Sequence, residues 1–412
     1  MNLKELFPSI RKKYKGIFFI LGYHSKADDF LVGILQNEKT VHIGTFSRGL
    51  QEEEKQSLIQ IILKNQISFS KETSFIDPGI CVELSFQTIV NGTLEDAFFS
   101  GFHLNTSWQT CTWEKLILDN YIPDAVKVTH LDKMIWDQSK TTKEMFIAYL
   151  IQISSRMLPF LQNKALTTIR YPNGIAGEAF FQKNCPAYAP EFIQKFLQDE
   201  NQFIVCNNLE TLIWLGNQLA IEYHIPFQTV DTNNPTEIVF DLDPPDRTKF
   251  HLAIKAAKEM KSIFDSFHIA SYPKLSGSKG LQIHIPISKN TLTYDETRLF
   301  TSFIANYLIE RYPNDFTIER LKKNRDNRLY IDYVQHAEGK TIICPYSTRG
   351  KEDATVAAPL FWNEVNDDLR IEQFTIHSVL HRLTTMNCPM HEFWNQDNRS
   401  VNEIISKLKE NV

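Results

Sequence analysis

Apolar residues in the first hundred positions come in short runs broken by turn-forming residues: "GIFFILGY", "DFLVGILQ", "TVHIGTF", "GICVELSFQTIV" and "DAFFSGFHL", with one helical stretch, "EEEKQSLIQIILKNQ", among them. Strands at this spacing with a single helix predict a small five-stranded β-barrel of the OB type over residues 1–112. Around Pro123 the pattern lapses, and residues 113–127 are expected to be a linker. From Val128 onward strands alternate with helices, which predicts one large α+β domain over 128–412. In "KFHLAIKAAKEMKSIFDSF" the apolar positions Leu252, Ala256, Met260, Ile263 and Phe267 recur every three or four residues, the spacing of an amphipathic helix. The closing "SVNEIISKLKENV" reads as a polar terminal helix, and the chain carries no internal repeat.

A chain of 412 residues exceeds one hydrophobic core, in keeping with more than one domain. Its 42% hydrophobic and 23% charged residues are those of an ordinary soluble protein, and the net charge of -5 means that any basic surface must be local. The N-terminal "MNLKELFPSIRKKYKG" is charged throughout, and the apolar run behind it is far shorter than the roughly 20 residues of a membrane span. A cytoplasmic protein with no membrane contact is expected. Cys81, Cys111, Cys185, Cys206, Cys344 and Cys388 are scattered without a C-x-x-C pair, which points to neither a zinc knuckle nor a disulfide framework.

Candidate chemistry enters with "EIVFDLDPPDRTKF". Alternation along a strand sends Ile238, Phe240 and Leu242 to one face and Val239, Asp241 and Asp243 to the other, with the two carboxylates about 7 Å apart at the backbone. Pro244 and Pro245 end the strand because neither can donate a ladder hydrogen bond. Like charges this close repel, and a divalent cation such as Mg²⁺ or Mn²⁺ removes the conflict. A D-x-D can equally lie in a surface loop or cap helices. Phosphatases with an aspartate nucleophile also place D-x-D after an apolar strand, but they continue with Gly-Thr where Pro-Pro stands here. "RLYIDYV" supplies a third acid, Asp332, on the face opposite Leu329, Ile331 and Tyr333; three such carboxylates can hold two metals for in-line phosphoryl chemistry.

Between these strands lies "SYPKLSGSKGLQIHIPI". Ser276, Gly277, Ser278, Lys279 and Gly280 make a small-residue turn whose N–H groups, hydroxyls and ammonium can cradle phosphate oxygens. Beyond it Leu281, Ile283 and Ile285 share one face, and Gln282 and His284 the other. "ERLKKNRDNRLY" adds a basic cluster of Arg320, Lys322, Lys323, Arg325 and Arg328, compatible with a DNA backbone or with a solvated turn.

Taken in order, "VTHLDKMIW" with "TTK", "IRYPNG", "FFQKN", "VFDLDPP", "SGSKGLQIHIP", "LYIDYVQHAEGKT" and "PYSTRG" resemble the polymerase domain of bacterial ligase D, an end-joining member of the archaeo-eukaryotic primase superfamily. The resemblance implies a primase-polymerase catalytic domain with mixed and antiparallel sheets. It implies Asp241, Asp243 and Asp332 as ligands of a two-metal Mn²⁺ or Mg²⁺ site for nucleotidyl transfer, and Ser276 and Arg349 at the incoming triphosphate. The family usually has His where Gln282 stands, so Gln282 or His284, with Lys279, is expected to complete the triphosphate contacts. Lys133 and Lys143 match a basic pair that recognises a 5′-phosphate across a DNA gap. Phe180 and Phe181 match aromatics that stack on template bases; in an extended segment the two cannot both face a core.

The N-terminal part, through "GIFFILGY", "SRGLQEEEK" and "GTLEDAFFSGF", is similar to the OB domain of the ligase portion of ligase D. Ligation needs a lysine nucleophile in K-x-D-G, and the chain has no Asp-Gly dipeptide, so it is not expected to be an autonomous DNA ligase. The resemblance thus implies a polymerase that fills gaps and extends 3′ ends in non-homologous end joining. NTP or dNTP would be its substrate, with ribonucleotides preferred, and it would act in the bacterial nucleoid with 5′-phosphorylated DNA ends, a Ku homodimer and a separate ligase as partners. The alternative is a non-catalytic DNA-end scaffold for Ku and that ligase.

Overall fold

The computed structural model describes residues 13–90 and 92–410. The charged N-terminal stretch through residue 12 and the last two positions of the expected closing helix, 411 and 412, lie outside the described residues. The chain divides into two compact units, one of residues up to 127 together with Glu144–Ser155, the other of Val128–Lys143 and Arg156 onward.

In the first unit, β1 (Tyr14–His24), β2 (Asp29–Gln36) and β3 (Lys39–Phe46) form a meander, followed by α1 (Glu52–Lys64), the short β4 (Ser68–Ser70) and β5 (Thr73–Phe75), β6 (Cys81–Phe86), the hairpin β7 (Thr88–Val90) and β8 (Thr93–Glu95), and β9 (Phe98–Phe102). The main sheet has seven strands in the order β3-β2-β1-β5-β4, with β6 also on β1 and β9 on β6. β1 is long enough to pair one edge with β2 and to share the other between β6 and β5. Among the described residues no ladder joins β3 to β9; a single parallel bridge, Arg48 to Phe98, links the segment after β3 to β9.

Residues 113–127, expected to be a linker, carry helix α2 (Trp113–Tyr121), capped by the Thr112 side chain accepting from the Lys115 N–H. The reason is local: Trp113, Leu116, Ile117, Leu118 and Tyr121 are buried, spaced to cover one side of a helix. The Trp113 indole donates to Gln152 Oε1 at 2.9 Å, and Tyr121 packs on Tyr14.

The second unit begins with β10 (Met134–Trp136) and β11 (Thr141–Thr142), and α3 (Lys143–Leu161) follows, running through both units. Next come β12 (Ala165–Arg170), β13 (Phe180–Gln182), β14 (Gln194–Gln198), β15 (Asn201–Val205), α4 (Leu209–Asn217), β16 (Ala220–Pro226), β17 (Glu237–Asp243), α5 (Phe250–Ser266), β18 (Tyr272–Leu275), β19 (Leu281–Pro286), α6 (Tyr294–Arg311), β20 (Phe316–Thr317), β21 (Leu329–Asp332), β22 (Thr341–Ile343), α7 (Ile376–Thr385) and α8 (Arg399–Glu410). A six-stranded sheet runs β14-β15-β12-β16-β22 with β13 on β12, and a five-stranded sheet runs β18-β19-β17-β21-β20. Every pairing is antiparallel except β20 with β21. This is the α+β architecture with antiparallel sheets that the sequence predicts.

Alternation along β17 sets the functional face. Ile238, Phe240 and Leu242 are all 0% exposed, and the Phe240 ring meets Phe264 of α5 at 5.8 Å and Phe300 of α6 at 6.2 Å. The expected helix is therefore present, although Phe264 and not Phe267 continues its buried stripe; Phe267 lies past the helix end and is 41% exposed. With one face of the sheet committed to α5 and α6, the acidic positions of β17 have only the other face to occupy. No helix among the described residues is long and apolar enough to cross a membrane.

Candidate active site

Three strands bring the acidic residues together. In the antiparallel registers of β17, Asp241 lies opposite Gln282 on one side and opposite Asp332 on the other, with Asp243 opposite Tyr330. Directly opposed residues point to the same face, about 4.5–5.5 Å apart at Cα. Asp241, Asp243 and Asp332 thus share the face away from α5 and α6.

Each carboxylate is held differently. Gln282 Nε2 donates to Asp241 Oδ1 at 3.1 Å, and Gln282 Oε1 accepts from Lys274 Nζ at 2.5 Å. Asp243 is gripped by Lys279 Nζ at 2.9 Å and Arg325 Nη1 at 3.1 Å. Asp332 Oδ1 accepts from the Tyr330 hydroxyl at 3.1 Å and from the Gln335 N–H at 2.9 Å.

Burial, with Asp243 and Asp332 close by and the Gln282 bond only partly opposing, pushes Asp241 up to about 7. Burial likewise raises Asp332. It brings Lys274, 0% exposed, down to about 7.

Deeper on the same face, Glu237, 2% exposed, accepts from Lys164 Nζ at 3.3 Å and hydrogen-bonds His284 Nδ1 at 2.8 Å. Burial favours its neutral form, but Lys164 and His284 outweigh it and hold the carboxyl at about 2. His284 is itself 1% exposed, its affinity for a proton is lowered by burial, and its Nε2 finds no partner.

The phosphate-type turn is closed on itself. Ser276 Oγ accepts from the N–H groups of Ser278 and Gly280 at 3.2 and 3.0 Å, and Lys279 also reaches the carbonyls of Pro244 and Pro245. Gly277, at φ +69°, passes so close to Arg349 that a Cβ there would lie 2.8 Å from Arg349 Cγ, so the turn and Arg349 are neighbours. Arg349 Nη1 pairs with Glu222 Oε2 at 3.2 Å, while its buried Nε has no partner.

The structure therefore gathers Asp241, Asp243, Asp332, Ser276, Lys279 and Arg349 in one region. Gln282 and His284, expected at a triphosphate, are instead buried in bonds to Asp241 and Glu237. Beside Asp332 a cleft of about 230 Å³ is lined by Arg320, Tyr330, Gln335 and Lys340 among others.

Lys133 and Lys143 form a second cluster. The Lys143 N–H donates to the Lys133 carbonyl, Lys143 Nζ donates to the Thr129 carbonyl at 2.7 Å, and Lys133 Nζ to the Pro172 carbonyl. Burial, with Lys133 adding to it, brings Lys143 down to about 8.

Phe180 and Phe181, on β13, are both exposed, 42% and 72%, so neither ring is a core residue. Arg170 of β12 lies 5.1 Å from the Phe180 ring centre. Of the basic cluster 320–328, Arg325 is committed to Asp243 and to the Glu319 and Arg320 carbonyls, and Arg328 to the carbonyls of Pro313, Asn324 and Arg325.

Among the described residues no group of three or more His, Cys, Asp or Glu side chains is gathered as a formed metal cage, since Asp243 turns to Lys279 and Arg325. The donor set nonetheless suits a hard divalent cation: three carboxylates on one face, one of them pushed to about 7 by burial and by the two acids beside it.

Sequence reasoning missed Lys274 and Glu222. A lone lysine between Pro273 and Leu275 in an otherwise apolar strand was the available sign of the first. Glu222, at an alternating position of "AIEYHIP", offered no comparable signal.

Comparison with known proteins agrees with this geometry. The family described as "LigD, primase-polymerase domain" matches residues 142–390. The bifunctional non-homologous end joining protein LigD of Bacillus subtilis is 45% identical over 392 residues, covering 95% of this chain and 64% of that protein. The multifunctional non-homologous end joining protein LigD of Mycolicibacterium smegmatis is 30% identical over 267 residues, 63% of this chain and 35% of that protein. The chain thus spans less than two thirds of the length of either relative. The solved polymerase domain of Mycobacterium tuberculosis ligase D in complex with DNA superposes with a TM-score of 0.62 at 25% identity, over 66% of this chain and 99% of that one. Matched over more than half its length, the chain belongs to the LigD primase-polymerase domain family.

Proposed function

We propose that the chain is a metal-dependent nucleotidyltransferase that fills gaps and extends 3′ ends at double-strand breaks during non-homologous end joining. The observation that carries this reading is the opposition of Asp241 and Asp332 across β17 and β21, with Asp243 on the same face. In the reaction a primer 3′-hydroxyl attacks the α-phosphorus of a nucleoside triphosphate, the new phosphodiester forms and pyrophosphate leaves. Mn²⁺ or Mg²⁺ bound by the three aspartates would supply charge neutralisation at the reacting phosphate. The chain's own groups do the rest. Ser276, Lys279 and Arg349 receive the triphosphate, the Arg guanidinium gripping it bidentately, while Gln282 holds Asp241 in place.

Lys133 and Lys143, joined by a backbone hydrogen bond and near enough for their charges to interact, suit a 5′-phosphate, and the exposed Phe180 and Phe181 suit bases at the break. In the same reading ribonucleotides are preferred, and Ku and a separate ligase act on the same ends in the bacterial nucleoid. The reading also divides the chain into an OB-type domain over 1–112, a short connection and a polymerase domain over 128–412. The Arg48–Phe98 bridge supports a barrel closed between the end of β3 and β9, and such a barrel suits DNA docking.

Primer extension with Mn²⁺ and labelled nucleotides tests the assignment: the parent should extend, Asp241→Ala and Asp243→Ala should not, and equal extension by all three would sink it. If none extends yet all bind a 5′-phosphorylated gapped duplex, the chain is a DNA-end scaffold.

A further inference from the structure

Glu222 is buried, 3% exposed, and binds only its own strand and the segment that carries Arg349. Its Oε1 accepts from the Gly350 N–H at 2.9 Å, and its Oε2 lies 3.2 Å from Arg349 Nη1 and 3.0 Å from His224 Nε2. The backbone fixes this placement. The Tyr223 N–H donates to Ser347 Oγ at 2.9 Å, the Thr348 hydroxyl to the Ile221 carbonyl at 2.6 Å and the Cys344 N–H to the Tyr223 carbonyl at 2.8 Å, so β16 and the segment 344–350 are tied together. Alternation along β16 puts Ile221, Tyr223 and Ile225, all buried, on one face, and Glu222 and His224 share the other. Burial favours the neutral carboxyl, but His224, Arg349 and the Gly350 N–H outweigh it and hold Glu222 below its ordinary value.

A guanidinium offers an oxyanion two edges, Nη1 with Nη2 and Nε with Nη2. Glu222 takes Nη1, which leaves the second edge. Nε on that edge is buried and has no hydrogen-bond partner among the described residues, a costly state for a charged donor. The stem of the same side chain runs against Gly277 of the Ser276–Gly280 turn, where a Cβ would lie 2.8 Å from Arg349 Cγ. We propose that Glu222 is a positioning residue for the incoming nucleotide: by holding Nη1 it presents the Nε–Nη2 edge of Arg349 to the phosphate chain. Without that carboxylate the long arginine stem is free to change rotamer, and a misdirected fork offers the phosphates one hydrogen bond in place of two. The charge of Glu222 is matched by Arg349, so what it contributes at the phosphate site is direction. The inference rests on the polymerase reading for its substrate and adds to it a residue that touches no reacting atom.

The test is direct binding of a fluorescent nucleoside triphosphate with Mn²⁺, followed by anisotropy. A glutamine at this position has one oxygen for two donors, the Gly350 N–H and Arg349 Nη1, and no charge with which to hold the guanidinium. For Glu222→Gln the affinity for the triphosphate should fall about tenfold, the worth of one charge-assisted hydrogen bond, whereas affinity for a 5′-phosphorylated gapped duplex should not change. In the Arg349→Ala background the same substitution should weaken nucleotide binding no further, because its effect runs through that guanidinium. A merely structural role would instead lower affinity in both backgrounds and for both ligands. Should glutamine prevent folding, Glu222→Asp keeps the charge but is a methylene short of spanning both donors, and its nucleotide affinity should fall in the same direction. Undiminished nucleotide affinity in the variant, or an equal further loss in the Arg349→Ala background, would overturn the proposal. Binding without extension by the parent would count against the polymerase reading and leave the role of Glu222 standing; a parent that binds no triphosphate would overturn both.

Discussion

Gln282 Nε2 donates to Asp241 Oδ1 at 3.1 Å, and the same amide's oxygen accepts from the buried ammonium of Lys274 at 2.5 Å. The ammonium fixes which end of the amide faces the carboxylate, since only the oxygen can accept from Lys274. Lys274 is therefore a positioning residue for Asp241, one strand removed.

Lys274→Met keeps an unbranched stem as far as the ε-carbon and removes the ammonium. The variant leaves the buried Gln282 Oε1 without its donor, which costs about 1–3 kcal/mol, so the melting temperature should fall modestly while the fold is kept. The amide is then held only by its bond to Asp241 and the carboxylate is less firmly placed, so the extension rate should fall roughly 10- to 100-fold, about 1.4–2.8 kcal/mol in barrier. A circular-dichroism melt beside single-turnover extension, and Mn²⁺ binding followed by electron paramagnetic resonance, check this. An unchanged rate with unchanged Mn²⁺ affinity would remove Lys274 from the site.

The faces of β17 were legible because a period of two needs only local sequence: Ile238, Phe240 and Leu242 on one side, Asp241 and Asp243 on the other. The partners of those carboxylates were not. Gln282 could be placed on the correct face of β19, yet that Asp241 lies opposite it depends on register between strands far apart in sequence. Arg325 read as one of five cations for DNA, because nothing local distinguishes an arginine that folds back onto Asp243 from one left in solvent. The segment 113–127 read as a linker because Pro123 drew attention from the i, i+3, i+4 spacing of Trp113, Leu116 and Ile117.

Glu237 ties stability to acid. Its folded-state value of about 2 lies below the ordinary 4.5, so the carboxylate contributes stability that is full above about 4.5 and is lost as pH falls through about 2. Glu237→Gln should remove that acid-dependent segment. It should also lower stability at neutral pH by about 3–5 kcal/mol, because Lys164, 1% exposed, loses its carboxylate partner. Denaturant melts of parent and variant across the acid range measure both effects; parallel pH profiles would contradict the assignment.

In the proposed reading Lys143, at about 8, makes 5′-phosphate recognition weaken as the pH turns alkaline. Below that value Lys143 is charged; above it Lys143 becomes neutral and one cation is lost. Affinity for a 5′-phosphorylated gapped duplex should therefore weaken between about pH 7 and 9.5, whereas the 5′-hydroxyl duplex should show little change. A bound phosphate favours the protonated form, so the midpoint in the complex should sit above that of the free protein. Lys143→Arg, charged throughout, should flatten the profile, and a profile as steep as the parent's would exclude Lys143 as its source.

Phe181 separates binding from folding most cleanly. The ring is 72% exposed and sits opposite Ile169 at the edge of β12, so truncation to Ala leaves no cavity and should change stability by about 0.5 kcal/mol or less. An exposed aromatic that stacks on a base carries about 1–3 kcal/mol of affinity, which predicts a loss of roughly 5- to 150-fold for gapped DNA. Phe180 is anchored differently, under the Arg170 guanidinium at 5.1 Å, so Phe180→Ala should also loosen Arg170. Anisotropy titrations with gapped duplex, with a melt of each variant as control, compare the two. Equal affinity of Phe181→Ala and parent would mean that the ring is exposed for some other purpose than stacking.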